Sequence, residues 1–222
     1  MKDKFYIVRH AYGYHNWYKD VHGVHPEVRD PDLEAFGRKQ ATDSGIYAAR
    51  VNLDVSHVIC SPMRRVIQTA ELFLSELQYR GTVIIDPLVS EMMEPGVLVN
   101  DGSLCSALIS EFSRNASGTA IHFDFSGLPE GQWWPAQAET SDDVEVRIQS
   151  FLKKYFNEMA LPPEKTIIFT HSLWIGCLTG MNDFPNAALG AVGVSTRQPQ
   201  IIYSPEPAPL RRKKEPFIGR TA

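Results

Sequence analysis

Short runs of β-branched and aromatic residues alternate along this chain with longer stretches of helical periodicity, and that alternation leaves few architectures open. The runs are FYIVRH (5–10), VSHVICS (55–61), TVIIDP (82–87) and TIIFTH (166–171), with QIIYS (200–204) as a fifth candidate. Between the first two, the spacing predicts a helix over about 36–51, with Phe36, Ile46 and Tyr47 among its apolar positions. A second helix runs to about Tyr79, with Ser61 suited to an N-cap and Pro62 to the first helical position. It spaces Val66, Ala70, Phe73 and Leu77 along one face. A capped helix from Ser141 turns Val144, Ile148, Phe151, Leu152 and Tyr155 inward, and another helical turn follows the run at 166–171. The stretch 90–140 reads as irregular with weaker helical content. The expected fold is a three-layer α/β/α domain with a mostly parallel central sheet.

At 222 residues the chain is long enough to bury a core without disulfides or metal. Its three cysteines, Cys60, Cys105 and Cys177, form no CxxC pair, which points to a reducing compartment rather than a disulfide framework or zinc site. The first ten residues, MKDKFYIVRH, are charged too early for a signal peptide, and no run reaches the ~18 apolar residues of a membrane span. A cytoplasmic location is expected. A net charge of −4 argues against a dedicated binder of nucleic acid or anionic membrane. The composition shifts near Ser204: the last 18 residues carry four prolines and a net +3, leaving −7 on residues 1–204. Residues 1–204 are therefore expected to form one domain and 205–222 a solvated tail. The sharper reading of Arg211, Arg212, Lys213 and Lys214 is a polyanion-binding or nuclear-import patch.

Ligands of open α/β sheets bind beyond the carboxyl ends of the strands. The first strand ends in Arg9-His10, the second leads into Ser61-Pro62-Met63-Arg64-Arg65, the third through Asp86 to Glu91, and the fourth ends in Thr170-His171. Two imidazoles, guanidiniums from two elements and a carboxylate on one rim suit phosphoryl transfer. Guanidinium holds phosphate oxygens in a bidentate fork. A neutral imidazole attacks phosphorus when a hydrogen bond at one ring nitrogen leaves the other deprotonated. A carboxylic acid protonates the leaving oxygen. No Walker glycine loop or aspartate pair suggests a metal.

The segments IVRHAYGYHN, SPMRRVIQTA and DPDLEAFGRKQA resemble the signature motifs of the histidine phosphatase superfamily, the phosphoglycerate mutase-like fold. PLVSE, DFSGLPEGQWWP and FTHSLWIG are similar to a eukaryotic, phosphatase-like branch, so the resemblance covers about residues 4–175. It implies that His10 is the nucleophile that becomes phosphohistidine. It places Arg9, Asn16, Arg65 and His171 on the phosphate and makes Glu91 the proton donor, with no metal or other cofactor. Ser61 would shape its loop. Ala11 stands where the family has glycine, and a positive φ there would cost about 1–2 kcal/mol.

Some residues admit two readings. Arg64 and Arg65 point about 100° apart on a helix, and the spacing after Ser-Pro selects Arg65. Glu94 rivals Glu91 as the acid. His15, His22 and His25 fit no common zinc pattern and read as exposed loop histidines, some rimming the pocket. Trp133 and Trp134 suit either a substrate cap or a core pair. The expected activity is a metal-independent phosphomonoesterase acting on a small phosphorylated metabolite, as a monomer or homodimer. A phosphoglycerate mutase using the same phosphohistidine is the alternative, and a non-catalytic phospho-ligand binder the second.

Overall fold

The computed structural model describes residues 3–94, 97–115 and 121–209. Seven strands form one sheet: β1 (Lys4–Arg9), β2 (His57–Cys60), β3 (Gly81–Ile85), β4 (Ile121–Asp124), β5 (Thr166–Thr170), β6 (Leu189–Gly193) and β7 (Pro199–Tyr203). Their spatial order is β4-β3-β2-β5-β1-β6-β7. The first five strands pair parallel, whereas β6 runs antiparallel to both β1 and β7. Among the described residues there are six α-helices: α1 (Tyr14–His22), α2 (Ala35–Arg50), α3 (Arg64–Glu76), α4 (Cys105–Asn115), α5 (Ser141–Leu152) and α6 (Ser172–Thr179).

The central strands are buried on both faces, so their alternate side chains feed two cores. Val8, Val58, Cys60, Ile167 and Phe169 pack with α2, α3 and α4 on one side. Phe5, Ile7, Ile59 and Ile168 pack with α5 and α6 on the other. Each such fully buried side chain stabilises the fold by about 1.5–3 kcal/mol. The expected three layers are present, built on a mixed, mostly parallel sheet.

Three local expectations are corrected. First, α3 begins at Arg64 rather than Pro62, and Ser61 is not its cap. The Arg64 N–H donates instead to Oδ1 of buried Asp30 at 2.9 Å, a cap supplied by a distant loop. Second, α2 buries a stripe of small residues, Gly37, Ala41, Ser44, Gly45 and Ala48, while Phe36, Ile46 and Tyr47 are only half-buried. The cause is close packing on α3: a Cβ at Gly45 would fall 2.5 Å from the Phe73 carbonyl oxygen. Third, the stretch 90–140 contains α4 and the edge strand β4. Of the inward set on the helix from Ser141, Val144, Ile148, Phe151 and Tyr155 are fully buried and Leu152 partly so. Thr140 caps that helix in a reciprocal box with Asp143. The tail's basic run lies outside the described residues.

Candidate active site

The site is assembled where β1, β2, β3 and β5 end. The His10 N–H donates to the Thr170 carbonyl at 2.9 Å, continuing the β1–β5 ladder by one step and locking the two strand ends together. His10 and His171 are both buried, and their ring centroids lie 5.2 Å apart.

His10 Nδ1 is 2.8 Å from the Ala11 carbonyl oxygen. A carbonyl only accepts, so Nδ1 carries the ring proton and Nε2 keeps its lone pair. Burial, followed by Arg65, His171 and Arg9, holds the proton affinity of His10 well below the ordinary imidazole range. The ring is a neutral base with one free nitrogen. Its backbone is pinned as firmly: Asn186 Nδ2 donates to the His10 carbonyl at 3.0 Å. The Ala11 N–H donates to Thr69 Oγ1 at 3.0 Å, and that hydroxyl donates to the Arg65 carbonyl at 2.7 Å. Ala11 is not among the described residues with positive φ, so the methyl group in place of glycine carries no backbone strain. It packs with Leu33, Ala41 and Ala187.

His171 Nε2 lies 2.8 Å from Ser61 Oγ, and its Nδ1 is 3.5 Å from an Arg65 amino group. Since guanidinium only donates, Nδ1 accepts and the proton sits on Nε2. Ser61 therefore orients an imidazole rather than capping a helix. Burial, then Arg65 and His15, lower the proton affinity of His171 well below its usual range. Arg65 is fully buried with NH1 on the Val99 carbonyl at 3.0 Å, and Arg9 NH1 is 2.6 Å from the Phe184 carbonyl. The Nε atoms of both arginines have no partner among the described residues. Arg64 faces outward, in ion pairs at 3.0 Å with Asp32 and Glu111.

Glu91 is buried at the start of α6, where its Oε1 accepts from the N–H groups of Met92 at 3.1 Å, Leu173 at 3.1 Å and Trp174 at 3.3 Å. The amides that open α6 thus hold a protein carboxylate. Burial raises the Glu91 proton affinity, against those amides and the two arginines. Glu94 is exposed. The loop carrying Glu91 is clamped by Arg147, which donates to the carbonyls of Leu88 at 3.1 Å, Ser90 at 3.0 Å and Glu91 at 3.1 Å. Its remaining edge pairs with Glu139 at 2.7 Å.

Asn16 stands on the first turn of α1, with its Oδ1 accepting the Gly13 N–H at 2.9 Å; the amide NH2 remains a donor. The exposed-loop reading fails for His15. Residues 14–22 are helical, and His15 is buried with its ring 5.4 Å from that of His10. His22 and His25 are exposed, as expected. Trp133 and Trp134 form an edge-to-face core pair, with Trp133 Nε1 on the Ser103 carbonyl at 2.8 Å, so neither caps the rim. Residues missed by sequence reasoning are His15, Asp30, Thr69 and Arg147. Thr69 had a signal, four residues beyond Arg65 on one helix face; the carbonyl partners of Arg147 had none.

No cluster of potential metal ligands occurs among the described residues. No helix among them is long and apolar enough to cross a membrane. A groove of about 570 Å³, lined by Asp54, His57, Tyr79 and Arg80, lies at the opposite ends of β2 and β3 and holds none of these groups.

Residues 5–97 match the family model of the histidine phosphatase superfamily (branch 1), so the resemblance seen in the motifs stands. No curated protein matches the chain. Among solved structures, the chain is similar to the ecdysone phosphate phosphatase of Bombyx mori in complex with tungstate. Identity is 19%, with TM-score 0.61 over 96% of this chain and 97% of that one. A mycobacterial hydrolase gives 14% identity and TM-score 0.57 over 93% and 100% of the two chains. A mycobacterial glucosyl-3-phosphoglycerate phosphatase with inorganic phosphate gives 13% and 0.55 over 93% and 98%. The fold is the phosphoglycerate mutase-like α/β fold that these structures share.

Proposed function

We propose that a chain of this histidine phosphatase-like fold hydrolyses phosphomonoesters through a phosphohistidine on His10, without a metal, and that its substrate is a small phosphorylated metabolite. The observation that carries the reading is the 2.8 Å bond from His10 Nδ1 to the Ala11 carbonyl, which leaves Nε2 unprotonated among groups suited to an anion. Two matched phosphatase structures hold tetrahedral oxyanions, tungstate in one and phosphate in the other, which supports the same use here.

In this mechanism Arg9, Arg65 and the Asn16 amide hold the phosphoryl oxygens, and His171 joins them by turning its Nε2–H from Ser61 Oγ to the anion. His10 Nε2 attacks phosphorus as the bond to the leaving oxygen breaks, and Glu91 gives that oxygen its proton. Water then attacks the phosphohistidine, loses a proton to the Glu91 carboxylate and releases inorganic phosphate. Both starting groups are restored. Fixed guanidiniums meet the negative charge without reorganising, which is where most of the acceleration arises.

The test is a panel of phosphorylated metabolites with p-nitrophenyl phosphate, run in chelator beside His10→Ala, with rapid quench to trap labelled phosphate on His10. Hydrolysis, trapping and their loss in His10→Ala are expected. Full activity in His10→Ala ends the assignment. Interconversion of 3- and 2-phosphoglycerate faster than hydrolysis moves the reading to a mutase.

A further inference from the structure

The mechanism above leaves one buried imidazole unused. His15 is 7% exposed, and its Nδ1 is shut from solvent with no partner among the described residues. A polar atom left so bears the desolvation penalty of burial with no bond to offset it, and an apolar residue of the same volume would avoid that penalty. The surroundings are arranged to keep the ring where it is. A Cβ on Gly13 would come within 2.7 Å of His15 Nδ1 and 2.8 Å of Cε1, so only a residue without a side chain fits there. The ring lies 5.4 Å from the nucleophile's ring, and Arg65, His10, His25 and Arg9 are the charged and titratable groups that act on it. Of the buried side-chain atoms without partners, Arg9 Nε, Arg65 Nε and His15 Nδ1 belong to residues around His10. Residues of α1, β1 and α3 that carry unsatisfied polar atoms thus surround and act on the nucleophile's ring.

We propose that His15 is a further ligand of the transferred phosphoryl group, its imidazole bonding an oxygen of the anion from the α1 side. The inference rests on the function proposed above and adds a residue to the site.

The test uses the full chain with inorganic phosphate and tungstate as probes, binding measured by calorimetry and folding by thermal melts. His15→Phe and His15→Leu bracket the ring's volume without a polar atom; His15→Gln restores one. A folded apolar variant should bind both anions about 10- to 100-fold more weakly, the loss of one hydrogen bond to a charged group. His15→Gln should recover at least tenfold of that. The inference is overturned if a folded apolar variant binds like wild type, if His15→Gln is as weak as the apolar pair, or if neither apolar variant folds, since the ring is then structural. Wild-type protein that binds neither anion would instead remove the proposed function itself.

Discussion

Replacing Glu91 by glutamine isolates the proton donor with little structural cost. Glutamine keeps an oxygen for the N–H groups of Met92, Leu173 and Trp174, now 3.1–3.3 Å from Glu91 Oε1, and its NH2 takes the place of Oε2. It has no proton to give. Loss of a general acid lowers the rate about 10²- to 10⁴-fold, or roughly 3–5 kcal/mol of barrier, when the leaving group is an alkoxide. p-Nitrophenyl phosphate releases a stable phenolate without help, so its hydrolysis should fall less than about tenfold on the same reasoning. The pH profile supplies the second arm. Burial raises Glu91, so its acid form survives above the ordinary carboxyl range and activity declines as pH rises through that value. Burial and Arg65 lower His10, so its neutral form survives below 6.5 and activity declines again only in stronger acid. Glu91→Gln should erase the high-pH limb and leave the low-pH one. The assay is kcat for an alkyl phosphate and p-nitrophenyl phosphate across pH in both proteins. Equal loss on both substrates, or an unchanged high-pH limb, would refute the role.

Arg147→Met should act through the same carboxyl. It frees the carbonyls of Leu88, Ser90 and Glu91 and strands the largely buried Glu139, costing about 3–5 kcal/mol in denaturant titration. Its residual activity should show the same alkyl-over-nitrophenyl loss, and equal loss on both substrates would leave Arg147 a merely structural residue. Stability should also fall in mild acid. His10, His15 and His171 are all held well below the ordinary imidazole range, with burial the largest cause. Below about pH 6.5 the unfolded chain therefore binds protons that the folded one refuses. Each imidazole then removes about 1.4 kcal/mol per pH unit, about 4 for the three, with raised Glu91 and Asp30 opposing this nearer their own lower range. An unfolding free energy that stays level between pH 7.5 and 5.5 would mean that the three rings are not buried as neutral groups.

What the sequence made legible follows from how each element is buried. β1, β2 and β5 lie inside the sheet, so both faces are apolar and the runs stand out; the polar residues that end them mark the rim. β4 is a four-residue edge strand and β6 reads LGAVG, which lacks the β-branched density that signals a strand. α1 turns only His15 fully inward, so no apolar stripe announces it, and its bounding glycines imitate a loop. Gly23, at φ 78°, is in fact the left-handed residue that ends it. Asp30 and Arg147 were illegible for another reason. Their partners lie 34 to 73 residues away for Asp30 and up to 59 for Arg147, so only the folded chain gives them a role.

The same dryness that makes His10 a nucleophile also sets the strength of the anion contacts, and the two cannot be tuned apart. Exclusion of water keeps the imidazoles neutral at a pH where exposed ones begin to protonate, and it amplifies the field of Arg9 and Arg65 at the phosphorus. A guanidinium stays charged under that burial where an ammonium would lose its proton. This accounts for arginine rather than lysine at both positions and for the buried Asp30, whose negative charge opposes the lowering of Arg65. Three neutral rings between two fixed cations add no further charge for the core to bear. A wetter rim would protonate His10 and weaken Arg9 and Arg65 together, so loss of nucleophile and loss of anion affinity should travel as one phenotype in any variant that opens the pocket.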